Sequence, residues 1–222
     1  MKNNKILVYL IIVILIGGVG YYIYNKEVKI SEKSNQNIEN EQKDPFADLV
    51  IPVDIDEATK TVMQTHIDNT KEMYNEKPDI WETWIAIGNL KAMLGDYEGA
   101  IDAYRESISL QSNNILGYRN IAEVYKNNLH DYEKAIEYYR LAIELAPGDP
   151  EIYIALALIE EYQLKDLVSA EETYLNGLRA TGNNFEILNR VLYFYKNNNN
   201  PEKANEIQNK INKLYPDSAA AQ

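Results

Sequence analysis

The 222 residues contain no cysteine. That absence removes disulfides, thiolate metal sites, a cysteine nucleophile and a lipid anchor on an N-terminal cysteine, and it leaves the redox compartment open. Histidine is almost as scarce. His66 and His130 are the only two, with no H-x-x-x-H spacing and no sulfur partner, so they read as solvated or packed side chains and not as metal ligands or a catalytic base. Positive charge is also short, with 22 Lys and Arg against 34 Asp and Glu. The two lysines among the first 24 residues, Lys2 and Lys5, have no acid beside them, so the rest of the chain is more acidic still. Such a surface repels phosphate backbones and argues against nucleic acid as a ligand.

What the sequence does have is a period. Ala100 recurs as Ala135, Ala170 and Ala204 at intervals of 35, 35 and 34 residues, and Trp84 recurs as Tyr118, Tyr153 and Leu188 at 34, 35 and 35. A fixed period of this length predicts a solenoid of stacked units. Within the first unit, Trp84, Ile87, Gly88 and Lys91 follow the i, i+3, i+4, i+7 spacing of one helix face, and Tyr97, Ala100, Ile101, Tyr104 and Ile108 do the same for a second helix. Leu94-Gly95-Asp96 between them offers a left-handed glycine and a capping aspartate, so each unit is predicted to be a helical hairpin. Small residues recur where helices cross closely (Gly88, Ala122, Ala157), and Tyr104, Tyr139 and Tyr174 recur as large knobs. A lone hairpin cannot cover its own apolar face, so the units must stack.

The residues Trp84, Ile87, Gly88, Gly95, Tyr97, Ala100 and Tyr104 together resemble the tetratricopeptide repeat (TPR), whose period is about 34 residues. The resemblance implies an all-α fold, a right-handed α-solenoid of four TPR-like helical hairpins over 81–114, 115–149, 150–184 and 185–218. The extra residue of the second and third copies is expected in their turns, at Asn127 to Asp131 and near Leu164 to Asp166. The resemblance also implies that the first helix of each hairpin lines a concave surface that grips extended polypeptides. Ile85, Asn89, Met93, Arg119, Asn120, Glu123, Ile154, Leu158, Tyr162 and Tyr193 are then the expected partner-binding side chains. Asn89 and Asn120 also match two positions of the family's chaperone-tail receptors, but Ile85, Glu151 and Ala155 stand where that carboxylate clamp needs cations.

Ahead of the repeats, Met1 to Lys5 is a short basic start, and residues 6–24 run for 19 residues without a charge. That is close to the roughly 20 residues needed to span a bilayer, and Tyr21, Tyr22 and Tyr24 suit the headgroup belt. The competing reading is a cleaved signal peptide with Gly18 and Gly20 as a weak cleavage signal, although the run exceeds the usual apolar core of such peptides. Residues 25–53 are expected to form a polar, flexible linker, ending in an apolar cluster (Phe46, Leu49, Val50, Ile51, Val53) that docks in extended form on the domain itself. A capping helix is expected over 54–76, with Asp54 as its cap, and Asp79 is expected to start the first repeat. The acidic pairs Glu160-Glu161 and Glu171-Glu172 are expected on helix exteriors, where adjacent carboxylates point about 100° apart and stay solvated.

These features predict a single-pass membrane protein with its N-terminus inside and its repeats outside the cytoplasm. It would act as a scaffold for a protein or peptide partner, without catalysis, cofactor or metal. A second reading is a structural part of an envelope assembly, and a third is an accessory subunit of an enzyme complex.

Overall fold

The computed structural model describes residues 44–219. The expected transmembrane helix over 6–24 and the polar tether as far as residue 43 lie outside the described residues. Among the described residues no helix is long and apolar enough to cross a membrane.

Among the described residues ten helices follow in order: α1 (Glu57–Glu76), α2 (Trp81–Met93), α3 (Tyr97–Leu110), α4 (Ile115–Val124), α5 (Tyr132–Leu145), α6 (Pro150–Leu158), α7 (Leu167–Ala180), α8 (Phe185–Asn197), α9 (Pro201–Leu214) and the single turn α10 (Pro216–Ala219). Two π-helical turns, Tyr125–Leu129 and Ile159–Gln163, extend α4 and α6. No strand occurs among the described residues. Helices pair as α2 with α3, α4 with α5, α6 with α7 and α8 with α9, and each second helix also packs on the first helix of the next hairpin. First helices touch across the stack as well, α2 with α4 and α6 with α8.

All four hairpin turns are built alike. Gly95 (φ 85°), His130 (φ 55°), Lys165 (φ 58°) and Asn199 (φ 52°) are left-handed, at the same 35, 35 and 34 spacing as the alanines. The next residue in each case caps the second helix. Asp96 accepts from the Gly99 amide at 2.9 Å, Asp131 from Lys134 at 3.1 Å, Asp166 from Ser169 at 3.0 Å and Asn200 from Lys203 at 3.2 Å. The capping amide also closes the first helix. In the first and last hairpins the bond spans five residues, Asp96 N to Lys91 O and Asn200 N to Tyr195 O, both 2.9 Å. In the middle two it spans six, Asp131 N to Tyr125 O (3.0 Å) and Asp166 N to Glu160 O (2.8 Å). The extra residue expected in those turns is therefore taken up inside the first helix as a π turn, because the left-handed turn and its cap are kept unchanged.

A β-carbon at the left-handed turn position carries a conformational penalty of about 1–2 kcal/mol. Lys165→Gly is thus expected to stabilise the protein by about 0.5–1 kcal/mol after the greater freedom of glycine in the unfolded chain is subtracted. Gly95→Ala should cost a similar amount, since no atom within 4 Å would meet the new methyl and only the backbone angle opposes it. Urea unfolding of both variants checks the pair. Loss of stability in Lys165→Gly would mean that the lysine side chain matters more than its backbone angle.

Three expectations for the N-terminal part need correction. The first long helix is capped by Asp56, not Asp54, because its two carboxylate oxygens take the Thr59 amide (2.9 Å) and hydroxyl (2.6 Å). Asp79 caps nothing. Ile80 stands at the N-cap of α2 without a side-chain bond, and the turn is held instead by the Thr83 hydroxyl on Lys77 O and the Trp84 indole N–H on Pro78 O, both 2.8 Å. The apolar end of the linker docks through a turn over 45–48 and not in extended form. Phe46 is buried with Ile67, Ile87 and Leu90, its ring meets Tyr74 edge-on at 5.6 Å, and Leu49 and Ile51 pack on the same cluster. Val50 and Val53 point away and are exposed, so only part of the apolar cluster docks.

Ala100, Ala135 and Ala170 are fully buried and Ala204 nearly so. Tyr104, Tyr139 and Tyr174 are buried with them as the largest knobs. Gly88 lies so close to the Tyr104 ring that an added β-carbon would come within 2.3 Å of it, a close approach that only glycine permits there. At the far end the Tyr215 ring meets Phe185 at a tilt, 5.0 Å between centres, and its hydroxyl donates to Asn183 O at 3.1 Å, tying the end of α9 back to the start of α8.

Candidate functional site

The stripe of first-helix residues expected to meet a partner is laced with hydrogen bonds. Asn89 on α2 is exposed, yet its amide oxygen accepts from the Tyr104 hydroxyl at 2.8 Å and from the Asn120 amide of the next first helix at 3.3 Å. Arg119 on α4 reaches the start of α6, pairing with Glu151 at 3.1 Å and Asp149 at 3.6 Å. Glu123, one repeat beyond Asn89, accepts from the Tyr139 hydroxyl, pairs with Lys126 at 2.6 Å and accepts from Asn127 at 2.7 Å. Burial pushes the Glu123 carboxyl up, but the bonds from Lys126 and Tyr139 outweigh it, so the group sits below the usual range. Burial pushes the Tyr104 hydroxyl up to about 12 and holds the Tyr139 and Tyr174 hydroxyls higher still, so all three are permanent donors.

The third repeat departs from this pattern for a definable reason. The position equivalent to Asn89 and Glu123 is Leu158, which offers no acceptor. Tyr174 turns instead to Glu161, 3.2 Å away on the π turn. Apolar side chains occupy the rest of the stripe. Ile85 and Leu158 are half-buried against the core, while Met93 (42% exposed), Tyr162 (48%) and Tyr193 (61%) stand out to solvent. The Lys165 ammonium lies 5.7 Å from the centre of the Tyr162 ring.

Ile154 does not join them. It is 6% exposed and shares a core cluster with Ile187 and Val191 of α8. Its place in the repeat faces the neighbouring first helix. The equivalent Arg119 uses that place to bridge repeats, and an isoleucine there is covered.

The expectation that Glu160 and Glu161 sit on a solvated exterior is also overturned. Both are buried, at 2% and 6% exposure. The π turn over 159–163 packs against α7, and both side chains are covered there. Glu160 lies on the wall of a groove of about 660 Å³ lined by residues of α5, α6 and α7. Arg140 approaches its Oε1 only to 3.7 Å, and its Oε2 is buried with no hydrogen-bond partner. Burial pushes the Glu160 carboxyl up, against the opposing pull of Thr173 and Arg140. The one sequence signal for this was the 35-residue spacing, whose extra residue is the π turn. Glu171, by contrast, sits at the surface, accepting from Tyr195 at 2.8 Å and closely paired with Lys203. Among the described residues no group of His, Asp and Glu is arranged to hold a metal ion.

Comparison with known proteins bears on the fold. Residues 88–128 match a family model described as TPR repeat, and residues 118–159 match one described as Tetratricopeptide repeat. No curated protein matches the chain. Among solved structures, the crystal structure of MamA is 16% identical, with 77% of this chain and 99% of that one covered at a TM-score of 0.56. A tetratricopeptide repeat protein from Parabacteroides merdae is 19% identical, covering 72% of this chain and 62% of that one at 0.54. A chain of the Naa15/Naa10 complex bound to HypK-THB is 19% identical, covering 71% of this chain but only 23% of that one at 0.52. At these identities the likeness is one of fold. Residues 88–159 of this chain carry tetratricopeptide repeats, within an all-helical fold shared with solved TPR proteins.

Proposed function

We propose that this chain is a membrane-tethered scaffold that holds a partner polypeptide along the exposed stripe of its first helices, the concave side of a right-handed solenoid, and carries out no catalysis of its own. The observation that carries this reading is the exposure of Met93, Tyr162 and Tyr193 on that stripe, beside polar side chains already bonded to one another. Large side chains set on a rigid, pre-bonded surface bind with little ordering cost, and aromatic residues are the commonest anchors of protein interfaces. The uncharged run over 6–24 supports the tether, and the orientation proposed has the N-terminus inside and the repeats outside the cytoplasm. The acidic surface favours a polypeptide over nucleic acid.

The test is affinity capture of the full chain after gentle detergent extraction. Met93→Glu and Tyr193→Glu change exposed positions and should leave the fold intact, so each is expected to lose most of the captured polypeptide. Capture at wild-type strength by both variants would move the contact off this face. Recovery of one large assembly of fixed composition would favour a structural part of an envelope machine over a client-binding scaffold. Protease added to intact cells or spheroplasts is expected to digest the repeats, and full protection would place them in the cytoplasm.

A further inference from the structure

Glu160 presents a problem that the first-helix stripe does not touch. A buried carboxylate oxygen without a donor forfeits its hydration and gains nothing in return, and such groups are rare in folded proteins. Here Oε2 is in that condition, on a side chain only 2% exposed, and the residue lines an open groove of about 660 Å³. The walls alternate in character. Ile143, Tyr153 and Leu156 supply apolar surface, and Glu172, Thr173, Asn176 and Arg179 supply polar or charged atoms. Arg140 is 65% exposed and contacts only the other oxygen, at 3.7 Å, too far for a hydrogen bond.

We propose that this groove between α5 and α7 receives a lysine or arginine side chain of a partner polypeptide, with its cationic head donating to Glu160 Oε2 and its alkyl stem lying along Ile143 and Leu156. Three features select that occupant. The vacant position is an acceptor, so the ligand must donate. The acceptor is a carboxylate with the carboxylates of Asp166 and Glu172 close enough to add to its negative field, so a charged donor is favoured over a neutral one. Ile143 and Leu156 give one part of the groove an apolar wall, which suits a head carried on methylenes. The overall charge of −12 draws such a segment in from a distance. Arg140 competes for the same carboxylate, and its long exposed side chain must swing aside when the ligand enters. The π turn that aims Glu160 into the groove costs regular helix geometry, and π turns inside helices occur frequently at functional sites. This site lies between the second helices α5 and α7, on a side of α6 away from the stripe proposed above, so either can fail alone.

The test uses the full chain in non-ionic detergent, titrated with N-acetyl-lysine N′-methylamide and its arginine counterpart and followed by amide NMR shifts at Thr173 and Asn176. The norleucine analogue serves as the uncharged isostere, and putrescine as a free amine. Saturable shifts with the lysine or arginine probe, absent with norleucine, are expected. Glu160→Gln, a neutral isostere, should weaken binding about tenfold, the loss expected for one charge-assisted hydrogen bond. Arg140→Ala should tighten binding by removing the competitor, and it tests the proposal even if the glutamine variant does not fold. No saturable shift, equal binding of norleucine, or an affinity unchanged in Glu160→Gln or Arg140→Ala would overturn the proposal. Tighter binding of putrescine than of the blocked residues would overturn the polypeptide as the occupant.

Discussion

Replacing Tyr139 with alanine is expected to lower the free energy of unfolding by about 3–5 kcal/mol, the cost of removing a large aromatic from a filled core. The ring is fully buried in the central cluster with Ile121, Ala122, Ala135 and Ala142, where the two hairpins of the middle repeats meet. Its hydroxyl donates to Glu123, and the Lys126 ammonium lies 5.7 Å from its ring centre and 3.1 Å from its oxygen. Truncation therefore opens a cavity and also strips a donor from a half-buried carboxylate. Tyr139→Phe separates the two effects. It keeps the ring and removes the donor, and because Glu123 retains Lys126 and Asn127 the loss should be about 1 kcal/mol. Urea unfolding of the three proteins measures both steps. An alanine variant within about 1 kcal/mol of the parent would mean that the core closes over the site far more readily than filled cores do.

Ala135→Leu is the opposite perturbation and the second largest. Ala135 has no exposed surface and sits at the crossing of α5 with the first helix of its own hairpin, in contact with the same central cluster. Three added carbons have no void to enter, so helices must separate or neighbouring side chains must leave their rotamers, at about 1–3 kcal/mol. The neighbouring Lys134 is exposed, and Lys134→Leu should move the unfolding midpoint by well under half as much. If the two leucine variants unfold alike, α5 is rotated from the register described here. Because repeats stack through nearest-neighbour contacts, either core variant should loosen the middle repeats before the terminal ones, which hydrogen exchange resolves.

Much of the frame was legible because it depends on local chemistry. The four alanines, the three tyrosine knobs and the Gly95-Asp96 turn can be read from spacing alone, since helix periodicity and capping act over a few residues. The cap positions Asp131, Asp166 and Asn200 obey the same rule. Legibility failed where a non-local partner decided the outcome. Asp54, Asp56 and Asp79 are equivalent as candidate caps in a list of residues, and only the path of the chain into α1 and α2 selects Asp56 and rejects the others. Phe46, Leu49, Val50, Ile51 and Val53 are alike as apolar candidates for docking, and only the packing beside Tyr74 and Ile67 takes Phe46, Leu49 and Ile51 and leaves the two valines exposed.

The candidate sites divide in the same way. The repeat pattern selects Met93, Tyr162 and Tyr193, which stand exposed, and by the same rule Ile154, which is covered by α8. Spacing locates the side of a helix but not what packs on it. The Glu160-Glu161 pair shows this most sharply. Two adjacent acids on a helix read as a solvated edge, because burying a charge is costly and the sequence names no compensating group. What the sequence by itself determined is the repeat, its helices, its turn chemistry and the acidic surface, all set by interactions between residues close along the chain. What only the tertiary structure decided is how the extra residue in two repeats is accommodated. Keeping the left-handed turn and its aspartate cap forces the surplus into a π turn, and packing against α7 then carries Glu160 to the groove and Glu161 to Tyr174.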